Sequence, residues 1–206
     1  MTEHALIQTL RKNFDPKAAL LSQADAAVLM PIIQGSEPAL LLTRRALHMN
    51  SHAGEVAFPG GRFEPQDVHL AMTALRESEE EVALPCDCVE VIGSLKPTRS
   101  KAGLLVQPVV GLVQGQPQIV GNPEEIESVF QVPLRFFMEE RPARDYRINF
   151  RGIDLVVPCY RYEEYIIWGL TAKLVVDFLA HGLNHHVDFP WPPVLPAFMS
   201  AKGPIS

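Results

Sequence analysis

With 206 residues, 47% hydrophobic and 20% charged, the chain can bury a full core in one domain, and no apolar run reaches the roughly 20 residues needed to cross a membrane. A formal net charge of −6 argues against a nucleic-acid-binding surface, since duplex binding needs a basic face to displace counterions; local basic residues can still steer an anionic small molecule. The first 17 residues are mixed and polar without an uninterrupted apolar centre, so no signal peptide is read there and cytoplasmic residence is expected.

Residues 2–21 read as an amphipathic helix or two short ones, interrupted near Pro16. Two apolar runs follow, 26–33 and 39–43, separated by Gly35-Ser36-Glu37-Pro38 in a hairpin-like pattern. The second runs into Leu41-Leu42-Thr43-Arg44-Arg45-Ala46, then His52 and Gly54, then the glycine turn Phe58-Pro59-Gly60-Gly61. Glycines there let backbone approach a ligand where side chains would hinder it.

The segment 70–84 carries the strongest signal. At about 100° per residue, Glu77, Glu80 and Glu81 fall on one side, while Ala71, Ala74, Leu75, Ser78 and Val82 make a core-facing stripe. Like charges three and four apart cost a few tenths of a kcal/mol per pair on an exposed helix, and more where water is excluded. A hard divalent cation reverses that sign, and carboxylate oxygens suit Mg²⁺ or Mn²⁺ better than zinc. A solvated helix face is the alternative, disfavoured by the upstream Gly-Gly and the Arg76-Glu77 start.

Further strands are expected at 89–95, 104–113 and 129–132, and a strand pair near 146–150 and 155–160. Between them lie a polar loop, 97–103, holding Lys101, and the acidic stretch Asn122-Pro123-Glu124-Glu125-Ile126-Glu127. Ile167-Trp168-Gly169-Leu170-Thr171-Ala172 precedes an apolar helix at 173–179, and residues 189–206 read as a proline-rich irregular tail. Thr43 and Thr171 are candidates for hydrogen bonds to backbone or phosphate. Cys86, Cys88 and Cys159 form neither a Cys-x-x-Cys pair nor an even disulfide set, so reduced thiols are expected. His181 and His185 are four apart, a spacing compatible with a transition metal but more often exposed at a helix end. Strands interspersed with two substantial helices point to an α/β sandwich in a single domain over 1–206, with a helical extension at about 1–25.

At Gly61 and at Arg76-Glu77-Ser78-Glu79-Glu80-Glu81-Val82-Ala83-Leu84 the chain resembles the Nudix hydrolases, whose signature reads Gly-x5-Glu-x7-Arg-Glu-U-x-Glu-Glu-x-Gly-U, with U a bulky aliphatic. Asp67 stands in place of the first glutamate, the following spacer is one residue longer, Ser78 replaces an aliphatic, and Ala83 replaces the glycine. If that last position is left-handed, alanine costs on the order of 1 kcal/mol, and the helix is expected to end differently, with Pro85 as the stop. The resemblance implies a mixed sheet between helices, Glu77, Glu80 and Glu81 as ligands of Mg²⁺ or Mn²⁺, and Arg76 steadying their helix by pairing with a glutamate such as Glu80. Glu64 and Asp67 are candidates to touch metal-bound water. Glu125 is the first choice for a further acid, ligand or base, with Glu124 and Glu127 as alternatives.

The stretch from Leu41 to Gly61 is similar to the second motif of the coenzyme A pyrophosphatase branch, except that Asn50 stands where an arginine is usual. This implies hydrolysis of coenzyme A or a derivative at its diphosphate. Arg45, Arg44, His52, Gly60, Gly61 and Lys101 are then the candidate substrate contacts, Lys101 toward the adenosine or its 3'-phosphate. His52 has two other readings, an organiser of its loop or a buried, hydrogen-bonded structural residue. Another nucleoside diphosphate substrate such as ADP-ribose, and a nucleotide-binding regulatory module, are the alternatives. Homodimerisation through the apolar C-terminal part is a further expectation.

Overall fold

The computed structural model describes residues 2–20, 23–144, 146–150 and 153–189; the expected proline-rich tail therefore lies almost wholly outside the described residues. The N-terminal extension forms α1 (Glu3–Asn13), capped by the Thr2 hydroxyl, and a single 3-10 turn at Pro16–Leu20, the two-piece version of the expected helix.

The central strands are β1 (Ala26–Ile33) and β7 (Leu105–Val113), parallel over eight residue pairs from Ala26↔Val106 to Ile33↔Val113. Both are almost entirely apolar, as expected of strands covered on two faces. Around them the sheet is antiparallel. β2 (Ala39–Arg45) pairs with β8 (Ile126–Pro133), while β5 (Val89–Ser94) and β6 (Thr98–Arg99) both pair with β7.

Side chains alternate across this sheet, and the alternation sorts the core into two layers. Ala27, Leu29, Leu41, Val109 and Val113 meet Leu70, Ala71, Ala74 and Val82 of α2 (Leu70–Val82) on one face. Met30, Ile32, Leu40, Leu42, Val110 and Leu112 meet α1 and α4 (Gly169–Leu183) on the other. The result is a mixed sheet between helices. Among the described residues no helix is long and apolar enough to cross a membrane.

The β1–β2 hairpin departs from its pattern. The two strands are registered only at Ile32↔Leu40 and Ile33↔Ala39, then splay apart. Into the wedge runs the segment 56–62: β3 (Val56–Ala57) pairs with the end of β2, and β4 (Gly60–Arg62) pairs with the start of β1. The loop 46–55 leading into it is clamped at its base, where Arg45 N–H donates to the Glu55 carbonyl at 3.0 Å and Gly54 N–H to the Arg45 carbonyl at 3.1 Å.

The chain after β8 departs from the expected single strand pair. A short helix α3 (Leu134–Glu139) follows at once, and the expected pair at 146–150 and 155–160 is two hairpins instead. β9 (Arg147–Phe150) pairs with β10 (Ile153–Val156), and β11 (Cys159–Tyr162) with β12 (Tyr165–Trp168). The apolar residues of α4 face the core against α1 rather than forming an outer surface, so the C-terminal dimer expectation finds no support from this helix.

The end of α2 corrects another expectation. Ala83 does adopt the left-handed conformation, φ 54° and ψ 29°, and its N–H donates to the Glu79 carbonyl at 3.0 Å. The helix therefore closes at alanine before Pro85 is reached. A glycine would remove the Cβ clash at the expense of some unfolded-state entropy. Ala83→Gly is expected to stabilise the protein by about 0.5–1 kcal/mol, raising Tm in calorimetry by roughly 1–4 °C; a lowered Tm would mean the αL position is not limiting.

Candidate active site

The site lies where the 56–62 segment crosses the wedge beneath α2. Leu29 N–H donates to the Pro59 carbonyl at 2.8 Å, fixing the segment against β1. A Cβ on Gly60 would sit 2.3 Å from the Ala27 oxygen, so the approach permits only glycine. The Gly60 N–H then donates to Glu81 Oε2 at 3.1 Å. At Gly61 the missing Cβ would fall 2.3 Å from the Glu77 carboxylate. The Gly-Gly pair thus lets two acids of α2 lie against the backbone of β4.

These acids are short of compensation. Glu81 is only 5% exposed, and burial pushes its carboxyl up to about 7 against the opposing Gly60 N–H and Arg45, with Glu77 and Glu125 adding to the rise. Burial likewise raises Glu77, opposed by Arg76 and reinforced by Glu80 and Glu125. Arg45 reaches across from β2, with Nη1 3.6 Å from Glu81 Oε1 and Nη2 3.9 Å from Glu125 Oε2. Glu125 is held by its backbone: its carbonyl accepts from Ala46 N–H at 2.8 Å, and its N–H donates to Asn122, whose own N–H bonds the Glu81 carbonyl at 2.8 Å. Of the three acids in that stretch, Glu125 turns to the site, whereas Glu127 pairs with Arg44 at 3.2 Å.

Arg76 pairs with Glu80 as expected, and in addition anchors the helix to Asp67 in the preceding loop. Its Nε and Nη2 grip both oxygens of Asp67 at 3.1 and 3.2 Å, and Nη1 lies 3.0 Å from Glu77 Oε1 and 3.1 Å from Glu80 Oε2. Asp67 also accepts from Glu64 N–H at 3.0 Å and from the Thr73 hydroxyl at 2.9 Å. The Arg76 hydrogen bonds hold its carboxyl below the usual range despite burial. Asp67 is therefore a structural partner of Arg76, not a group facing metal-bound water. Glu64 bonds Gln66 at the surface. Ser78, at an aliphatic position of the signature, is fully buried and spends its hydroxyl on the Ala74 carbonyl at 2.7 Å.

Other candidates are placed elsewhere. Adjacent residues of a strand project to opposite faces, so while Arg45 meets the acids, Arg44 lines a cavity on the far side with Tyr165 and Trp168. His52 is exposed, left-handed at φ 57°, and bonds Glu55 through Nδ1 at 2.7 Å, which answers to a loop organiser and not to a buried histidine. Lys101 is exposed in the turn between β6 and β7. The Thr43 and Thr171 hydroxyls donate to the Ala57 and Val56 carbonyls at 3.1 and 2.8 Å, tying β3 to β2 and α4. α4 ends at Leu183, with Asn184 left-handed, so His181 and His185 do not share a helical face. Among the described residues Cys86, Cys88 and Cys159 form no disulfide.

Among the described residues no three acidic, imidazole or thiol side chains converge closely enough to hold a cation alone. The donor set nonetheless fits a hard divalent ion that takes one or two carboxylates and completes its shell with water and phosphate oxygens. Glu77 and Glu81 are two sheltered oxygen donors with charge left unbalanced, and Glu80 can join them on leaving Arg76. Gly61→Ala tests the arrangement. Because the new methyl meets the end of a flexible side chain, the fold should survive, with Tm within about 2 °C. Displacing the Glu77 carboxylate by an ångström should lower kcat roughly 100-fold; unchanged kinetics would show that its position is not critical.

The family description "NUDIX domain" matches residues 23–149. Among similar proteins, the uncharacterized Nudix hydrolase NudL of Yersinia pestis (strain Pestoides F) is 48% identical over 150 residues, covering 73% of this chain and 75% of that protein. The NudL of Yersinia pseudotuberculosis serotype O:3 (strain YPIII) matches with the same figures. Of solved structures, the Nudix hydrolase RenU from M. smegmatis superposes with a TM-score of 0.46 at 21% identity, over 54% of this chain and 71% of that one.

Proposed function

Since the chain belongs to the Nudix family, we propose that it is a cytoplasmic, divalent-metal-dependent pyrophosphohydrolase acting on the diphosphate of coenzyme A or a derivative, with 3',5'-ADP and 4'-phosphopantetheine or its acyl form as products. The observation that carries this reading is the meeting of Arg45, from the Leu-Leu-Thr-Arg-Arg stretch, with Glu81 and Glu125 at the glycine turn. The branch motif and the acidic helix thereby form one site.

Glu77 and Glu81, with Glu80 once it leaves Arg76, are the residues that would hold Mg²⁺ or Mn²⁺. When bound, the ion supplies charge neutralisation at the diphosphate and acidifies a coordinated water. Arg45 orients the diphosphate through its planar guanidinium. Glu125, whose side chain is 46% exposed, is open to solvent and serves as the proton acceptor. The Gly60-Gly61 backbone leaves room for phosphate oxygens beside the two acids.

Incubation with coenzyme A and Mn²⁺ or Mg²⁺, with products identified by mass, tests the reading. Release of 3',5'-ADP only when metal is present is the expected result. Asn50 at the arginine position of the branch motif favours a second substrate, ADP-ribose or a related nucleoside diphosphate compound. Intact coenzyme A beside consumed ADP-ribose would select that alternative.

A further inference from the structure

The turn that carries Glu125 is shaped from within. The Asn122 carbonyl accepts from Glu125 N–H at 3.0 Å and from Ile126 N–H at 2.7 Å, and the Asn122 side-chain oxygen accepts from Glu124 N–H at 3.1 Å. These bonds fix the form of the turn but not its place. The β2–β8 ladder does not fix it either, because its register shifts at this point, pairing Arg44 with Ser128 but Arg45 with Ile126. Nor does the Glu125 carboxylate anchor itself: its 3.9 Å separation from Arg45 Nη2 is too long for a hydrogen bond.

Bonds to other segments place the turn. Asn122 N–H donates to the Glu81 carbonyl at 2.8 Å, Ala46 N–H donates to the Glu125 carbonyl at 2.8 Å, and His48 Nε2 lies 2.9 Å from the Glu124 carbonyl. A carbonyl only accepts, so the Nε2 of His48 carries the proton. Of these three bonds, the one from His48 alone is made by a side chain. Peptide units are planar, and the Glu124 and Glu125 carbonyls belong to the two planes that flank the Glu125 Cα. Holding both planes sets the direction of its Cα–Cβ bond. We propose that His48 is a positioning residue for hydrolysis: together with the Ala46 N–H it fixes those two planes and so aims the Glu125 carboxylate toward Arg45 and Glu81. This rests on the reading of Glu125 as the proton acceptor of a diphosphate hydrolase. The His48 bond is exposed to solvent, so it contributes little to the stability of the fold, and its effect falls on the geometry of the neighbouring acid.

His48→Ala is expected to lower kcat roughly 10-fold with KM within about two-fold and Tm within about 2 °C. His48→Gln, which keeps an amide donor near the Nε2 position, should return kcat to within about three-fold of the wild type. Added to Glu125→Gln, His48→Ala should cause no further loss of the residual rate, because the group it aims is already disabled. Hydrogen exchange of the metal-free protein reads the tether without turnover: in His48→Ala the Ala46 and Asn122 amides should exchange roughly 10-fold faster, with the β1 and β7 amides unchanged. Exchange unaltered in His48→Ala, or a further 10-fold loss of rate on top of Glu125→Gln, overturns the assignment; coenzyme A hydrolysis by the wild type beside either result leaves the proposed reaction intact. Faster exchange in His48→Ala while the wild type hydrolyses no diphosphate would uphold the tether and remove the reaction.

Discussion

Glu81→Gln is expected to abolish hydrolysis, lowering kcat on the order of 10³-fold or more, and at the same time to stabilise the metal-free protein at pH 8. The two effects share one cause. The folded-state carboxyl titrates at about 7 against an ordinary 4.5, because burial outweighs the Gly60 N–H and Arg45. A group with its folded pKa raised is stabilising while protonated. The metal-free fold therefore loses about 3 kcal/mol through this residue as pH climbs from about 4.5 to beyond 7. Glutamine keeps the shape and has no proton to lose, so the variant should lack that slope. Calorimetry at pH 5 and pH 8 gives the comparison. Mg²⁺ should raise Tm at pH 8 more for the wild type than for the variant, since it binds the ionised form. A Glu81→Gln protein less stable than wild type at pH 8 without metal would refute the account.

Asp67→Asn should be the most destabilising of the isosteric changes near the site, by about 2–4 kcal/mol, or roughly 5–15 °C in Tm. It leaves Arg76, itself mostly buried, without its bidentate acceptor, and it sets an amide against donors from Glu64 and Thr73. Because the Asp67 carboxyl is depressed, its contribution is fully present above pH about 4 and fades as pH falls through the folded value. The variant's acid-unfolding limb should accordingly be shallower. Activity should fall as well, since a freed Arg76 can pair more closely with Glu77 and Glu80 and compete for the acids. Unaltered Tm would contradict the role given to this pair.

Much of the site could be read from the chain because α2 obeys helical periodicity: Glu77, Glu80 and Glu81 had to share a side, and Ala71, Ala74 and Val82 had to oppose them. The strands β1 and β7 were equally visible as long apolar runs, but their parallel pairing was not, because an apolar run does not specify its neighbour. The Asp67–Arg76 pair was hidden by the longer spacer, which separates an aspartate lying in the loop from its partners Thr73 and Arg76 on the helix. Arg44 and Arg45 are both candidate substrate contacts in the sequence, but strand alternation separates neighbours, and only Arg45 meets the acids. Strands of two or three residues such as β3 and β4 carry no periodicity, so their pairing depends on the splayed hairpin that admits them.

The clamp at the base of the 46–55 loop has an engineering consequence. The Arg45–Glu55 and Gly54–Arg45 hydrogen bonds close the loop independently of what lies between them, so its length is uncoupled from the sheet. Doubling it would add only about 0.6 kcal/mol of closure entropy. The tip is thus a graft point, where foreign recognition segments can be spliced beside the glycine turn without rebuilding the scaffold that carries the acids.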